Sequence, residues 1–295
     1  MRGCVCTFAR PGVVVGAACL ILSTVSVPYA QSTAPQINSQ IRHTSGQSVV
    51  PFYEGWFEDA DGRIHVSYGY VNLNLQETLD ISVGPNNAMS PGSVDQGQPT
   101  HFMPGHQKGV FTVMLPRERS DTEINWMLSS RGTTMSVPSN LGPLYQIEGL
   151  VTHGGSFPGN RPPVLRFAPQ GLPAQGPTGL IMETEIEVVV DNEVSLDVWM
   201  TDDGLPGQFD PLYVRSLQVS QRQRRGRKLS VTWSKYRGSG TVNFTDPSPP
   251  IEQNKAHTTV TFTEPGEYML RVLASDGSGL NGCCWTNGYV RAIVK

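Results

Sequence analysis

The chain has 295 residues, enough for two domains of ordinary size, each able to bury its own core. Only 16% of the residues are charged, 22 basic against 25 acidic, so no excess of positive charge draws it to nucleic acid. Helical surfaces carry more Lys and Glu than this; the 31 Gly and 23 Pro, spread along the whole length, read as turns between many short strands.

The first element is a secretory signal over residues 1–30. Arg2 and Arg10 give the positive start, Gly12 to Val27 the apolar stretch, and Ala30 the small residue before the cut. Ser23, Thr24 and Ser26 interrupt the stretch, which argues against a membrane span, and no later segment could span one. A lipoprotein cut before Cys19 is the minor alternative. Cleavage removes Arg2 and Arg10, leaving a net charge of about −5, and removes Cys4, Cys6 and Cys19. Cys283 and Cys284 then remain, too few for a disulfide scaffold.

Residues 31–48, rich in Ser, Gln, Thr and Asn, read as a flexible leader. Residues 49–152 read as an N-terminal β-sandwich domain. Ile64, Val66, Tyr68 and Tyr70 alternate with Arg63, His65, Ser67 and Gly69, and the same period of two recurs at Leu79-Ile81-Val83, Phe111-Val113-Leu115 and Ile124-Trp126-Leu128. The Gly- and Pro-crowded residues 153–179 read as a linker that cannot lie inside a sheet. Residues 180–295 show seven short strands, from Ile186-Val188 to Tyr289–Val294, as an immunoglobulin-like sandwich requires.

Several segments of that last region fall in a familiar order: Leu229-Ser230-Val231-Thr232-Trp233, Gly238–Phe244, Phe262-Thr263-Glu264-Pro265-Gly266-Glu267-Tyr268 and Ala274-Ser275-Asp276-Gly277, preceded by Thr201–Pro206. They resemble the PKD-like branch of the immunoglobulin sandwiches, over roughly residues 180–295. In such a domain Tyr268 would return its hydroxyl to the turn backbone and Trp233 would be the core aromatic. The first half, with Tyr53-Glu54-Gly55-Trp56 and Tyr68–Asn74, is similar to secreted bacterial proteins of uncharacterised function that carry both halves. That resemblance implies location and architecture, and no activity.

Candidate chemistry is sparse. Cys283 and Cys284 are adjacent, and their alpha carbons, ~3.8 Å apart across a trans peptide, fall short of the usual disulfide span. Either the two stay thiols, one packed inward, or they close a strained, reducible ring suited to a redox-responsive contact, or they pair with another molecule. Trp285 beside them is a candidate contact residue. Asp202, Asp203 and Asp276, in turns of the second half, are candidate calcium ligands, although Asp-Gly is also a favoured turn. Calcium is the one cofactor this pattern admits. Asp59-x-Asp61-Gly62 begins like a calcium loop, but Tyr70 stands where the closing acid belongs. His101 and His106 could form a loop site with Asp95, without a recognised zinc spacing. The basic run holding Arg222, Arg224, Arg225 and Arg227 could meet an anionic partner, and lacks the aromatics that stack bases. Tyr53, Trp56, Tyr68 and Tyr70 either line a sugar-binding surface or fill a core. No nucleophile elbow or phosphate loop is present.

The sequence therefore reads as an exported, all-β, non-catalytic binding or structural protein of the periplasm or cell exterior. Its partner would be a carbohydrate or another cell-envelope protein. The rivals are a secreted polysaccharide hydrolase and a redox-responsive module built on Cys283-Cys284.

Overall fold

A computed structural model describes residues 43–59, 61–115, 122–147, 159–204, 229–277 and 284–295. Among these residues nineteen strands and one short 3-10 turn, Pro143–Tyr145, make up the regular structure.

In the first half, β1 (Val49–Glu58), β2 (Ile64–Asn72) and β6 (Gly105–Met114) form one antiparallel sheet. A second contains β4 (Asn87–Ser90), β7 (Asn125–Ser130) and β8 (Thr133–Pro138), and a small pair, β3 (Leu79–Asp80) with β5 (His101–Phe102), accompanies them. Period-two alternation gives each main sheet an apolar face, and those faces meet at fully buried Trp126. Its ring stands edge-on to Phe111 at 5.0 Å and to Tyr68 at 6.0 Å, so one indole joins β7 to both β6 and β2.

The second half is a larger sandwich. Its first sheet runs β10 (Ala174–Gln175), β9 (Val164–Arg166), β13 (Val194–Thr201), β17 (Lys255–Phe262) and β15 (Val242–Phe244), with β16 (Ile251–Glu252) on β17. The second runs β11 (Leu180–Ile181), β19 (Trp285–Val294), β18 (Gly266–Ser275) and β14 (Ser230–Arg237), and β12 (Ile186–Val188) also pairs with β19. All pairings are antiparallel except those of β11 and β12 with β19. Trp233 is buried in the core between them, with Leu165, Val198, Phe262, Leu270 and Val290. The Tyr268 hydroxyl donates to Glu264 O at 2.8 Å and accepts from Gly240 N at 3.1 Å, which is the tyrosine corner expected of the turn at Pro265-Gly266.

The expected linker needs correction. Residues 164–166 and 174–175 are strands β9 and β10 of the second sandwich, and Leu165 and Ala174 are buried in its core. Two- and three-residue strands need so few consecutive donors that Pro162, Pro163, Pro173 and Pro177 can flank them without breaking a ladder.

Residues 41–295 form one compact unit, and three β-bulges lie where its halves meet. On β1 the register slips between Tyr53 and Gly55, leaving Glu54 extra; β6 bulges between Gln107 and Phe111, around Gly109; on β14 Tyr236 is extra. A bulge re-aims the side chain it carries. Tyr236 accordingly leaves its own sandwich and joins the first half's core, with Tyr289 from β19.

Candidate functional site

Two polar clusters stand out: the seam between the halves, and one group of loops in the second sandwich.

The seam is built around Gly109. Its N–H donates to Glu54 Oε2 at 2.7 Å, and its carbonyl accepts from Arg271 Nη2 at 3.0 Å and from Asn287 Nδ2 at 2.7 Å. Arg271, almost fully buried, also donates to Lys108 O at 3.0 Å and from Nε to Asn287 Oδ1 at 2.9 Å. Burial raises the Glu54 carboxyl above the usual range, opposed by the Gly109 N–H, the Ser67 hydroxyl and the charge of Arg271. Burial likewise pushes the Tyr289 hydroxyl up to about 12, so at neutral pH it stays a donor to Val110 O, at 3.0 Å. Beyond the β14 bulge, Arg237 clasps Asp95 through two nitrogens, at 2.8 and 2.9 Å, and caps Gln98 O. That fork holds the Asp95 carboxyl below its ordinary value. Lys235 Nζ lies 3.3 Å from Asp80 Oδ1.

Several expected site residues belong to this scaffold. Trp285 is only 5% exposed, so it is no surface contact; its indole lies on Gly109, where the glycine leaves room for it. Asp95 faces Arg237, while His101 Nδ1 sits 2.7 Å from Asp80 Oδ1 and His106 packs edge-on to Phe52, so the three form no common site. Tyr68 and Tyr70 are core. Asp59 is a turn residue: it accepts from the N–H groups of Asp61 and Arg63 and lies 2.9 Å from His65 Nε2. Tyr53 and Trp56 are half-buried against the same core as Tyr68 and Tyr70, donating to Asn140 O at 2.8 Å and Gly142 O at 3.0 Å. Tyr53 packs beside Tyr145 with ring centroids 5.9 Å apart.

The second cluster brings together the three expected aspartates. Asp202 and Asp203 follow β13, and Asp276 follows β18. Asp202 accepts from Gly204 N at 3.1 Å; burial raises its carboxyl, and the charges of Asp203 and Asp276 raise it further. Sequence reading missed the fourth member, Asn160, which donates from Nδ2 to Asp276 Oδ2 at 2.8 Å. Its neighbour Arg161 donates its backbone N–H to Asp203 Oδ2 at 3.0 Å. Nothing in a Gly/Pro-rich stretch marks an asparagine for this place. Asp276 also contacts the cysteine loop, donating its N–H to Cys284 O at 3.4 Å.

Cys284 is buried and disulfide-bonded, so for this residue the free-thiol reading is set aside. Cys283 and Arg222, Arg224, Arg225 and Arg227 lie outside the described residues. Among the described residues no helix is long and apolar enough to cross a membrane. No three His, Cys, Asp or Glu side chains among them lie close enough to hold a metal alone.

No family model matches the chain, and no curated protein matches it. Among solved structures it is similar to the D0-D1 domain of intimin, at 12% identity over 83% of this chain and 100% of that one, with a TM-score of 0.25. Domains 4 and 5 of the S-layer protein SbsC align at 11% identity over 81% of this chain and 98% of theirs, with a TM-score of 0.24. A chimeric titin Z1Z2 aligns at 8% identity over 84% and 98%, also with a TM-score of 0.24. Likeness at this level transfers no ligand and no activity to this chain.

Proposed function

We propose that the protein is an exported, non-catalytic β-sandwich module, its second half PKD-like, that acts at the cell envelope by binding or by holding structure. The observation that carries this reading is the seam. Charged groups from both halves are engaged in fixing one sandwich to the other: Glu54 and Arg271 around Gly109, Asp95 on Arg237, Asp80 with Lys235. Such an arrangement suits a rigid block that presents a surface.

The surface we assign to contact is the aromatic corner at the 3-10 turn. Tyr145 is 47% exposed beside half-buried Tyr53, and Leu144 next to it is 97% exposed. Aromatic faces of this kind stack on sugar rings, so insoluble cell-wall and plant polysaccharides are the first ligands to offer. The test is co-sedimentation of the purified protein with a panel of these, with the supernatant assayed for released sugar. Pelleting without release, abolished by Tyr145→Ala, supports a carbohydrate-binding module. Released sugar overturns the non-catalytic reading and favours a hydrolase. Neither result moves the role to protein partners.

A further inference from the structure

The loops after β13 and β18 and the segment leading into β9 converge on one group of oxygen atoms. Asn160 is the key to it. Its side chain is 6% exposed, one end of its amide is bonded to the Asp276 carboxylate, and its Oδ1 has no hydrogen-bond partner. A buried carbonyl oxygen without a donor is rare in a folded protein and costs stability unless something else supplies positive charge. Among the described residues no donor does so. The bonds of Asn160 Nδ2 to Asp276 Oδ2 and of Arg161 N to Asp203 Oδ2 set this segment against both aspartate loops, so the surroundings of that oxygen are acidic.

We propose that Asn160 Oδ1, Asp202 and Asp276 are the protein side chains of a calcium site. All are hard oxygen donors, and they come from three separate segments, an arrangement that suits the irregular shell of six to eight oxygens calcium accepts and suits magnesium's strict octahedron poorly. Neither a thiolate nor an imidazole is among them, which disfavours zinc. Two carboxylates do not fill such a shell, so backbone carbonyls and water complete it. Asp203, held on the Arg161 N–H, positions the entering segment. Asp203 and Asp276 also keep other partners, so the ion joins an existing network. It would tie residue 160 to the ends of two strands, because Asp202 follows β13 and Asp276 follows β18. The proposal is independent of the carbohydrate reading.

The experiment is equilibrium dialysis and thermal melting of the full purified chain in EDTA, in CaCl2 and in MgCl2. One bound calcium per chain is expected, with a melting temperature raised by ~5 °C or more at saturation and little response to equal magnesium. Asp202→Asn should melt no lower than the parent in EDTA, since it removes a crowded charge, yet lose the calcium shift. Asn160→Leu should lose the shift as well, and Asn160→Asp, which keeps an oxygen in place, should retain it. No bound calcium at up to ~10 mM, above even the weak extracellular class of sites, would overturn the proposal. So would an equal shift with magnesium, or a full calcium shift in Asp202→Asn or Asn160→Leu.

Discussion

At Gly109 a single hydrogen atom decides whether the two halves can meet. A Cβ there would lie 1.7 Å from Trp285 Nε1, and the residue's φ of +51° already disfavours side chains. Gly109→Ala should therefore cost ~3 kcal/mol or more in chemical denaturation, from overpacking together with backbone strain. The Asp95–Arg237 pair makes a pH prediction. Arg237 lowers the folded-state pKa of Asp95, so the stabilisation is complete above the unfolded value of ~3.9 and disappears as pH falls through the folded one. The Asp95 side chain is 48% exposed, and screening limits the pair to ~1 kcal/mol or less. Asp95→Asn should thus be slightly less stable than the parent at pH 6, and the difference in urea midpoint should close below pH ~4. Glu54 works the other way. Burial raises its pKa, so its contribution is largest at acid pH and declines as pH rises through the raised value.

Elements differ in how plainly the sequence announces them. Strands β2, β13 and β18 carry long alternation and are legible, and β19 is legible only over Tyr289–Val294; β9 and β10 are not, because a three-residue and a two-residue strand hold too few positions to show a period. Bulges are hidden for a related reason. One extra residue disturbs the alternation, so nothing in the run from Trp233 to Arg237 announces that Tyr236 fills the core of the other half. Asp202, Asp203 and Asp276 were legible as turn aspartates, but their convergence depends on which loops share one end of a sandwich, and no local pattern carries that. The tyrosine corner was legible, since Pro265-Gly266 places Tyr268 within reach of its own turn. Tyr268→Phe should cost ~1–2 kcal/mol, because Gly240 N and Glu264 O lose their shared partner while the ring still fits. A variant of unchanged melting temperature would show that water replaces the hydroxyl.

At the scale of the whole molecule the seam makes the halves interdependent. Tyr236 and Tyr289 complete the first half's core, and Arg271 bonds two of its carbonyls. Calorimetry should therefore show one cooperative transition for residues 41–295. Arg271→Met, which leaves Asn287 and those carbonyls short of a donor in a buried place, should lower stability by ~2–4 kcal/mol or split the transition in two. Two well-separated transitions in the parent would mean that the halves fold apart.

The parallel pairing of β12 with β19 gives the second sandwich a mechanical grain. Ile186, Glu187 and Val188 lie beside Ala292, Ile293 and Val294, and the ladder continues through Lys295 N to Val188 O at 2.9 Å and Val190 N to Lys295 O at 3.1 Å. Tension entering ahead of β12 and leaving beyond β19 pulls these neighbours in opposite directions along their length. The bonds between them are then loaded in shear and must give way together, whereas an antiparallel pair pulled from its open end would unzip one rung at a time.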